Sequence, residues 1–325
     1  MKGEGGRGEG DLDIHFFLNN HPSFSEMAED GHLDDLLLST PFRFRFQSQQ
    51  LDYARVDEFA REHCNADSSD PRIAAICRFL PRTRGWVTSD GIGYFLDVLY
   101  KTYEADGLLP AFTDVADAGF FDVLRRILTM PRVTISDVRS EMDTLTKMAF
   151  VFSRKPLRRY DPWQPPDVFS DAVSFRLLVP INAGNSHWYM VEIQFSTRTF
   201  VVYDSQIKEF AYYEPIQKML LIFVQQLEGV LRMEGGDVAE WTERMEIERG
   251  RELWILTIAD CFQQHDGYNC GILLCLNLMA RLQHQQPMGF GAQPGSTIKQ
   301  QMTIVRYALS FMLIAEESVF TCLPG

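Results

Sequence analysis

The chain has 325 residues, 46% of them hydrophobic and 23% charged, which is enough apolar mass to bury a large core and excludes a disordered polypeptide. A formal net charge of -13 argues against a generic phosphate-binding surface, since nucleic-acid affinity rests on clustered Lys and Arg, so no nucleic-acid partner is expected. The opening "MKGEGGRGEGDLD" lacks an apolar signal core, no apolar run reaches the length of a membrane span, and six cysteines are too sparse for a disulfide framework. An intracellular protein, nuclear or cytoplasmic, with reduced thiols and no membrane partner is expected.

Residues 1 to about 75 mix Gly, Ser, Asn and Asp with short apolar clusters such as "HFFL" and "DDLLL". They read as an N-terminal extension, weakly ordered or regulatory, ahead of a folded domain over 76–325. In "RGWVTSDGIGYFLDVLYKTYEA", Ile92, Phe95, Leu96, Val98 and Leu99 recur near helical spacing, so a helix begins near residue 90 with Ser89 or Asp90 as its N-cap. A second amphipathic segment, "ADAGFFDVLRRILTM", presents Phe120, Val123, Leu124, Ile127 and Leu128, and a short helix follows at 134–145.

The period then changes. "KMAFVF", "FRLLVPIN", "HWYMVEIQF" and "TFVVYD" are short β-branched and aromatic runs that predict strands, with "STR" as the hairpin turn between the last two. The basic "SRKPLRRY" at 153–160 reads as a solvated loop. Beyond the hairpin, "YYEPIQKMLLIFVQQLEGVLRM" predicts a long helix, "ELWILTI" a strand, and 271–284 and 296–316 two further helices. Helices followed by a contiguous, mostly antiparallel sheet interrupted by a helix predict an α+β domain.

Among the six cysteines, Cys270 opens a predicted buried helix in "QQHDGYNCGILLCLNLMA". A thiol needs its pKa lowered to act as a nucleophile near neutrality, and a helix N-terminus or an adjacent imidazolium does that. Of the histidines outside the extension, His284 lies at a polar helix end and His265 in a loop without an evident orienting acid. His187 opens one strand of the hairpin and Asp204 closes the other, 17 positions on, so both belong at one end of the sheet. Asp204 would then hold the imidazole's tautomer and stabilise its cation. Gln264, six positions before Cys270, can offer a side-chain amide to an oxyanion, with the Cys270 N–H as a second donor and Gly267 free to take a left-handed turn between them.

The order His187, Asp204, Gln264, Cys270, in "HW", "VVYDS" and "QQHDGYNCG", resembles the ubiquitin-like protease (Ulp/SENP) family of cysteine peptidases. The resemblance covers roughly residues 80–317 and includes "WVTSDGI", which is similar to the family's entry motif. It implies a papain-like fold of the Ulp type over 76–325, with a central sheet flanked by helices. It also implies cleavage after the Gly-Gly tail of a ubiquitin-like, SUMO-type modifier, whether in maturing a precursor or in deconjugation, by a monomer without cofactor. Trp86 and Trp188 would line the tunnel for that tail. The family's acid follows the tryptophan by three positions, where this chain has Ser89, so Asp90 becomes the candidate contact to the modifier's surface.

Two other functions share these residues: an acetyl-coenzyme A dependent protein acyltransferase built on the same His/Asp/Cys set, and a non-catalytic module that holds a ubiquitin-like protein. A zinc site drawn from Cys261, His265, Cys270 and Cys275 is disfavoured, because Cys270 and Cys275 on one helix diverge by roughly 140°.

Overall fold

The computed structural model describes residues 44–46, 53–63, 69–81, 85–109, 113–152, 176–195, 197–227, 254–264, 266–283, 287, 298–316 and 320–322. Strand β1 (Phe44–Phe46) pairs antiparallel with β7 (Phe320–Cys322) in a two-stranded ribbon. The other described strands form one sheet in the order β2 (Thr113–Val115), β3 (Arg176–Ala183), β4 (His187–Gln194), β5 (Thr199–Tyr203), β6 (Ile255–Ile258).

The centre, β3–β4–β5, is antiparallel, whereas β2–β3 and β5–β6 are parallel. Each parallel pair is joined by a crossover that contains helices, the connection parallel strands require. Helices α4 (Phe120–Leu128) and α5 (Ile135–Ala149) lie between β2 and β3, and α6 (Glu214–Leu227) lies between β5 and β6.

Both faces of the sheet are covered. Along β4, Trp188 and Met190 enter one core, which is completed by α3 (Ser89–Ala105), α7 (Cys270–Leu282) and α8 (Ile298–Ala315). Tyr189, Val191 and Ile193 enter the other, with Leu124 of α4, Val138 of α5 and Phe223 of α6. Alternate side chains thus bury on opposite faces, and the strand reads as a nearly continuous apolar run.

Several elements differ from the sequence reading. Thr88, not Ser89 or Asp90, caps α3, its hydroxyl accepting from the Gly91 N–H at 3.2 Å. "KMAFVF" is no strand: Lys147–Ala149 complete α5, and the chain then turns so that the Phe152 N–H donates to the buried Asp114 carboxylate at 2.7 Å. A six-residue apolar run carries no period long enough to separate a strand from a helix end. The boundary drawn at residue 75 falls inside α2 (Pro71–Phe79), whose Ala75, Ile76 and Phe79 are buried.

Upstream of that boundary, α1 (Tyr53–His63) packs on α8, burying Val56, and the Tyr307 hydroxyl donates to Asp57 at 2.8 Å. Asp70 accepting from the Arg72 N–H, with Pro71 at the first helical position, was a readable start signal for α2. Residues 1–43, the basic run at 153–160, His265 and His284 lie outside the described residues.

Candidate active site

The β3–β4 hairpin delivers the first side chain. Its turn needs two successive residues in the left-handed region, and the sequence supplies Gly184 at φ 60 and Asn185 at φ 57. Both residue types accept that conformation at little cost, and the turn sets Ala183 opposite His187. His187 is 8% exposed and lies against the ring of Tyr189, with centroids 5.9 Å apart.

Strand β5 runs back antiparallel and ends at Tyr203, so the next residue, Asp204, arrives beside the start of β4. His187 Nε2 donates to Asp204 Oδ1 at 2.6 Å. The fully buried Asp204 carboxylate also accepts from the Gln206 N–H at 2.7 Å and from the Tyr213 hydroxyl at 2.7 Å. With Nε2 committed to the acid, Nδ1 is the ring nitrogen left for the Cys270 thiol, whose influence on the imidazole shows that the two side chains are neighbours. Burial pulls the imidazole's pKa down, but the hydrogen bonds to Asp204 and Cys270 and the charge on both outweigh it and raise it to about 9.

The thiol arrives from the other side of the sheet's end. After β6 the chain crosses behind Asp204: Gln263 Nε2 and the Cys261 thiol both donate to the Asp204 carbonyl oxygen, at 3.0 Å and 3.4 Å. Gln264 is held on three sides. Its N–H donates to the Ser205 carbonyl at 2.9 Å, its Oε1 accepts from the Ser205 hydroxyl at 3.0 Å, and its Nε2 donates to the Asp266 carbonyl at 2.8 Å.

Residues 266–269 then fold around the Asp266 carboxylate, which accepts from the Tyr268 and Asn269 N–H groups at 3.0 Å and 2.9 Å and from Asn269 Nδ2 at 2.6 Å. Cys270 follows as the first residue of α7, at the positive end of the helix.

The rival thiols are not activated. Burial, with the charges of Asp204 and Asp260, pushes Cys261 up to about 12, and burial pushes Cys275 well above the ordinary thiol value. Among the described residues only Cys270 combines a helix start with an imidazole partner.

The two tryptophans have different settings. Trp86 is 43% exposed ahead of α3, and Asp90 is an exposed residue of that helix's first turn. Trp188 is 3% exposed, and its Nε1 donates to the Val87 carbonyl at 2.7 Å, so it anchors the segment that carries Trp86. Gly271 fits between them: a Cβ there would lie 2.7 Å from Val87 Cβ and 3.4 Å from Trp188 Cδ1. The glycine after the thiol is a close-approach residue.

Sequence reasoning missed Tyr213, which holds the second oxygen of Asp204, and Ser205, which holds Gln264. No period or motif marks either one. The arrangement supplies a thiol, an imidazole, a buried acid and amide N–H groups, the kinds of group that nucleophilic acyl transfer uses.

The sequence pattern of the Ulp1 protease family, C-terminal catalytic domain, matches residues 167–289. No curated protein matches the chain in sequence. Among solved structures, the chain is similar to SUMO protease Ulp1 with its catalytic cysteine oxidised to a sulfenic acid, at 17% identity over 82% of this chain and 96% of that one, with a TM-score of 0.50. A structure of the C-terminal Ulp1 protease domain in complex with Smt3, the yeast ortholog of SUMO, aligns at 16% identity, 81% and 95% coverage and a TM-score of 0.49. The Ulp1-like SUMO protease catalytic domain of Chaetomium thermophilum aligns at 15% identity, 81% and 89% coverage and a TM-score of 0.49.

Proposed function

We propose that the chain, whose residues 167–289 match the catalytic-domain pattern of the Ulp1 protease family, is a cysteine peptidase of that family and cleaves after the C-terminal Gly-Gly of a ubiquitin-like, SUMO-type modifier. Cys270 is the nucleophile, His187 the base and then the acid, and Asp204 the group that orients the imidazole. The observation that carries this reading is the set formed by the Cys270 thiol at the start of α7, its coupling to the neighbouring His187, and the 2.6 Å contact from His187 to Asp204.

The Cys270 proton passes to His187, and the thiolate attacks the carbonyl carbon of the modifier's terminal glycine. The Cys270 N–H and Gln264 Nε2 stabilise the tetrahedral oxyanion. The imidazolium gives its proton to the leaving amine as the C–N bond breaks, and water, deprotonated by His187, hydrolyses the thioester. Trp86 and Trp188 flank the entry for an extended tail, and a glycine is the residue whose lack of side chain suits so narrow a passage. Asp90 faces solvent at the rim and contacts the body of the modifier. The match of residues 167–289 to the catalytic-domain pattern of the Ulp1 protease family supports this choice of substrate class.

The test is labelling of the full chain with a panel of ubiquitin-like proteins that carry a C-terminal electrophile, beside Cys270→Ala and His187→Ala. An adduct with one modifier that disappears in Cys270→Ala is expected. A folded chain that reacts with none of the panel would sink the reading.

A further inference from the structure

Helix α8 carries an arginine whose placement nothing above explains. Arg306 is 2% exposed, and among the described residues no carboxylate pairs with its guanidinium. A buried cation is expensive unless its charge is neutralised or well solvated by dipoles. Here the solvation comes from neutral acceptors. Nε donates to Asn269 Oδ1 at 2.7 Å, and Nη1 donates to the carbonyls of Arg78 at 3.1 Å and Leu80 at 3.3 Å, at the negative C-terminal end of α2.

The guanidinium also sits over the ring of Tyr268, 5.5 Å from its centroid, and its Nη2 has no hydrogen-bond partner among the described residues. The titratable groups that face it are Tyr268, Asp266 and Cys270. Burial pulls its pKa down to about 10 against the opposing charges of those three groups, so the cation persists at neutral pH.

Asn269 is the N-cap residue of α7, and an N-cap Asn ordinarily accepts a hydrogen bond from the second or third amide of its helix. This one makes no such cap. Its oxygen is held by Arg306 and its nitrogen by Asp266, at 2.7 Å and 2.6 Å. The first-turn amides of Gly271 and Ile272 therefore keep their positive ends for whatever charge forms at Cys270.

We propose that Arg306 is a positioning residue for the nucleophile: it holds Asn269 out of the capping geometry, and it supplies a fixed, buried positive charge behind Cys270 that stabilises the thiolate. This rests on Cys270 being the nucleophile. Asn269, which Arg306 holds at 2.7 Å, directly precedes Cys270, and Cys270 joins Tyr268 and Asp266 among the groups whose charge acts on the guanidinium.

The test compares full-length wild type, Arg306→Lys and Arg306→Gln by the pH dependence of iodoacetamide alkylation, with Cys270→Ala as background, and by kcat and KM on whichever modifier the chain is found to cleave. In Arg306→Gln the alkylation midpoint is expected to rise by about one pH unit, a tenfold loss of thiolate below it, with kcat falling about tenfold at unchanged KM. Arg306→Lys keeps the charge and should recover most of both. A merely structural arginine would lower thermal stability in both variants and leave the midpoint of the folded protein where it was, and that result overturns the proposal.

Should Arg306→Gln fail to fold, Asn269→Asp keeps the arginine and gives it a carboxylate. The midpoint should rise there too, and an unmoved midpoint overturns the proposal equally. Alkylation needs no modifier substrate, so the two readings fail separately: a wild type whose Cys270 is unreactive sinks the proposed function, while a reactive wild type with unmoved variants sinks only the role of Arg306.

Discussion

Helix α7 meets strand β4 at both of its ends, and the two ends are built on opposite principles. Near the helix's C-terminus, Arg281 grips Glu192 of β4 through Nε at 2.7 Å and Nη2 at 3.1 Å, and the Tyr203 hydroxyl donates to the same carboxylate at 3.0 Å. Desolvation pushes Glu192 toward protonation, but the hydrogen bonds and charge of Arg281, with Gln194 and Tyr203, outweigh it and hold its pKa below the usual value. Every charge there has a partner. At the N-terminus, Cys270 neighbours His187 of the same strand, and among the described residues no carboxylate is in salt-bridge contact with the buried Arg306 that holds the adjacent Asn269. A compensated pair fixes the helix, and the uncompensated end is where charge can be created during a reaction.

Breaking the compensated end should have the largest effect on stability. Arg281→Ala leaves Glu192 buried with Arg176, at 3.6 Å, as its remaining cation and Tyr203 and Gln194 as its remaining donors, and is expected to cost about 3 kcal/mol. Replacing both partners, Glu192→Met with Arg281→Met, should recover most of that loss, because an apolar pair of similar volume leaves no stranded charge. Urea unfolding of the wild type, the single and the double variant measures it. A double variant no better than the single would mean that the pair does more than neutralise itself.

The reactive end should show itself through pH. His187 has a folded-state pKa of about 9 against an ordinary 6.5, so it takes up its proton more readily when folded. Its stabilising contribution is full below pH 6.5 and is lost as pH rises through about 9, a change on the order of a few kcal/mol. The urea midpoint of the wild type should fall over that window, and kcat/KM should lose its basic limb near pH 9 as the imidazolium loses the proton destined for the leaving amine. Asp204→Asn should move that limb to lower pH. A flat stability profile from pH 6.5 to 9 would contradict the ion-pair description.

Steric fit at the same end predicts a smaller effect. Gly271→Ala drives a Cβ to 2.7 Å from Val87 Cβ, and neither the helix backbone nor Val87 can yield easily. Overpacking of this kind costs about 1–3 kcal/mol, and here it pushes on the Val87–Trp188 contact beside the thiol. Thermal unfolding should show the loss, and labelling by the electrophile panel should slow more than the stability change alone accounts for.

The contrast between the two ends also marks what a single sequence discloses. His187 and Asp204 were legible because a short hairpin turn fixes their relation: once "GNS" and "STR" are turns, the start of β4 and the end of β5 have to coincide. Cys270 and Gln264 were legible because the polar "QQHDGYN" gives way abruptly to an apolar helix. Arg306 was not, since it meets Asn269 across 37 positions and the Arg78 carbonyl across 228, and no local pattern encodes a contact between separate helices. Helices α1 and α2 were missed for a related reason. They earn their burial from α3 and α8, so their own stretches look too polar to fold.

Tyr213 offers the finest division between holding a group and tuning it. Its hydroxyl donates to Asp204 Oδ2 at 2.7 Å and accepts from the Lys208 N–H at 3.0 Å, while Oδ1 is held separately by His187 and the Gln206 N–H. Tyr213→Phe therefore strands one buried oxygen and one N–H but leaves the imidazole contact intact. The expected cost is about 1–2 kcal/mol in stability, since each lost partner is a single hydrogen bond in a packed site. On activity, kcat should fall less than tenfold with KM unchanged, because a carboxylate that keeps two of its three donors still orients His187. A loss as deep as that of Asp204→Asn would mean instead that the tyrosine, nine positions from the acid, sets the carboxylate's orientation by itself.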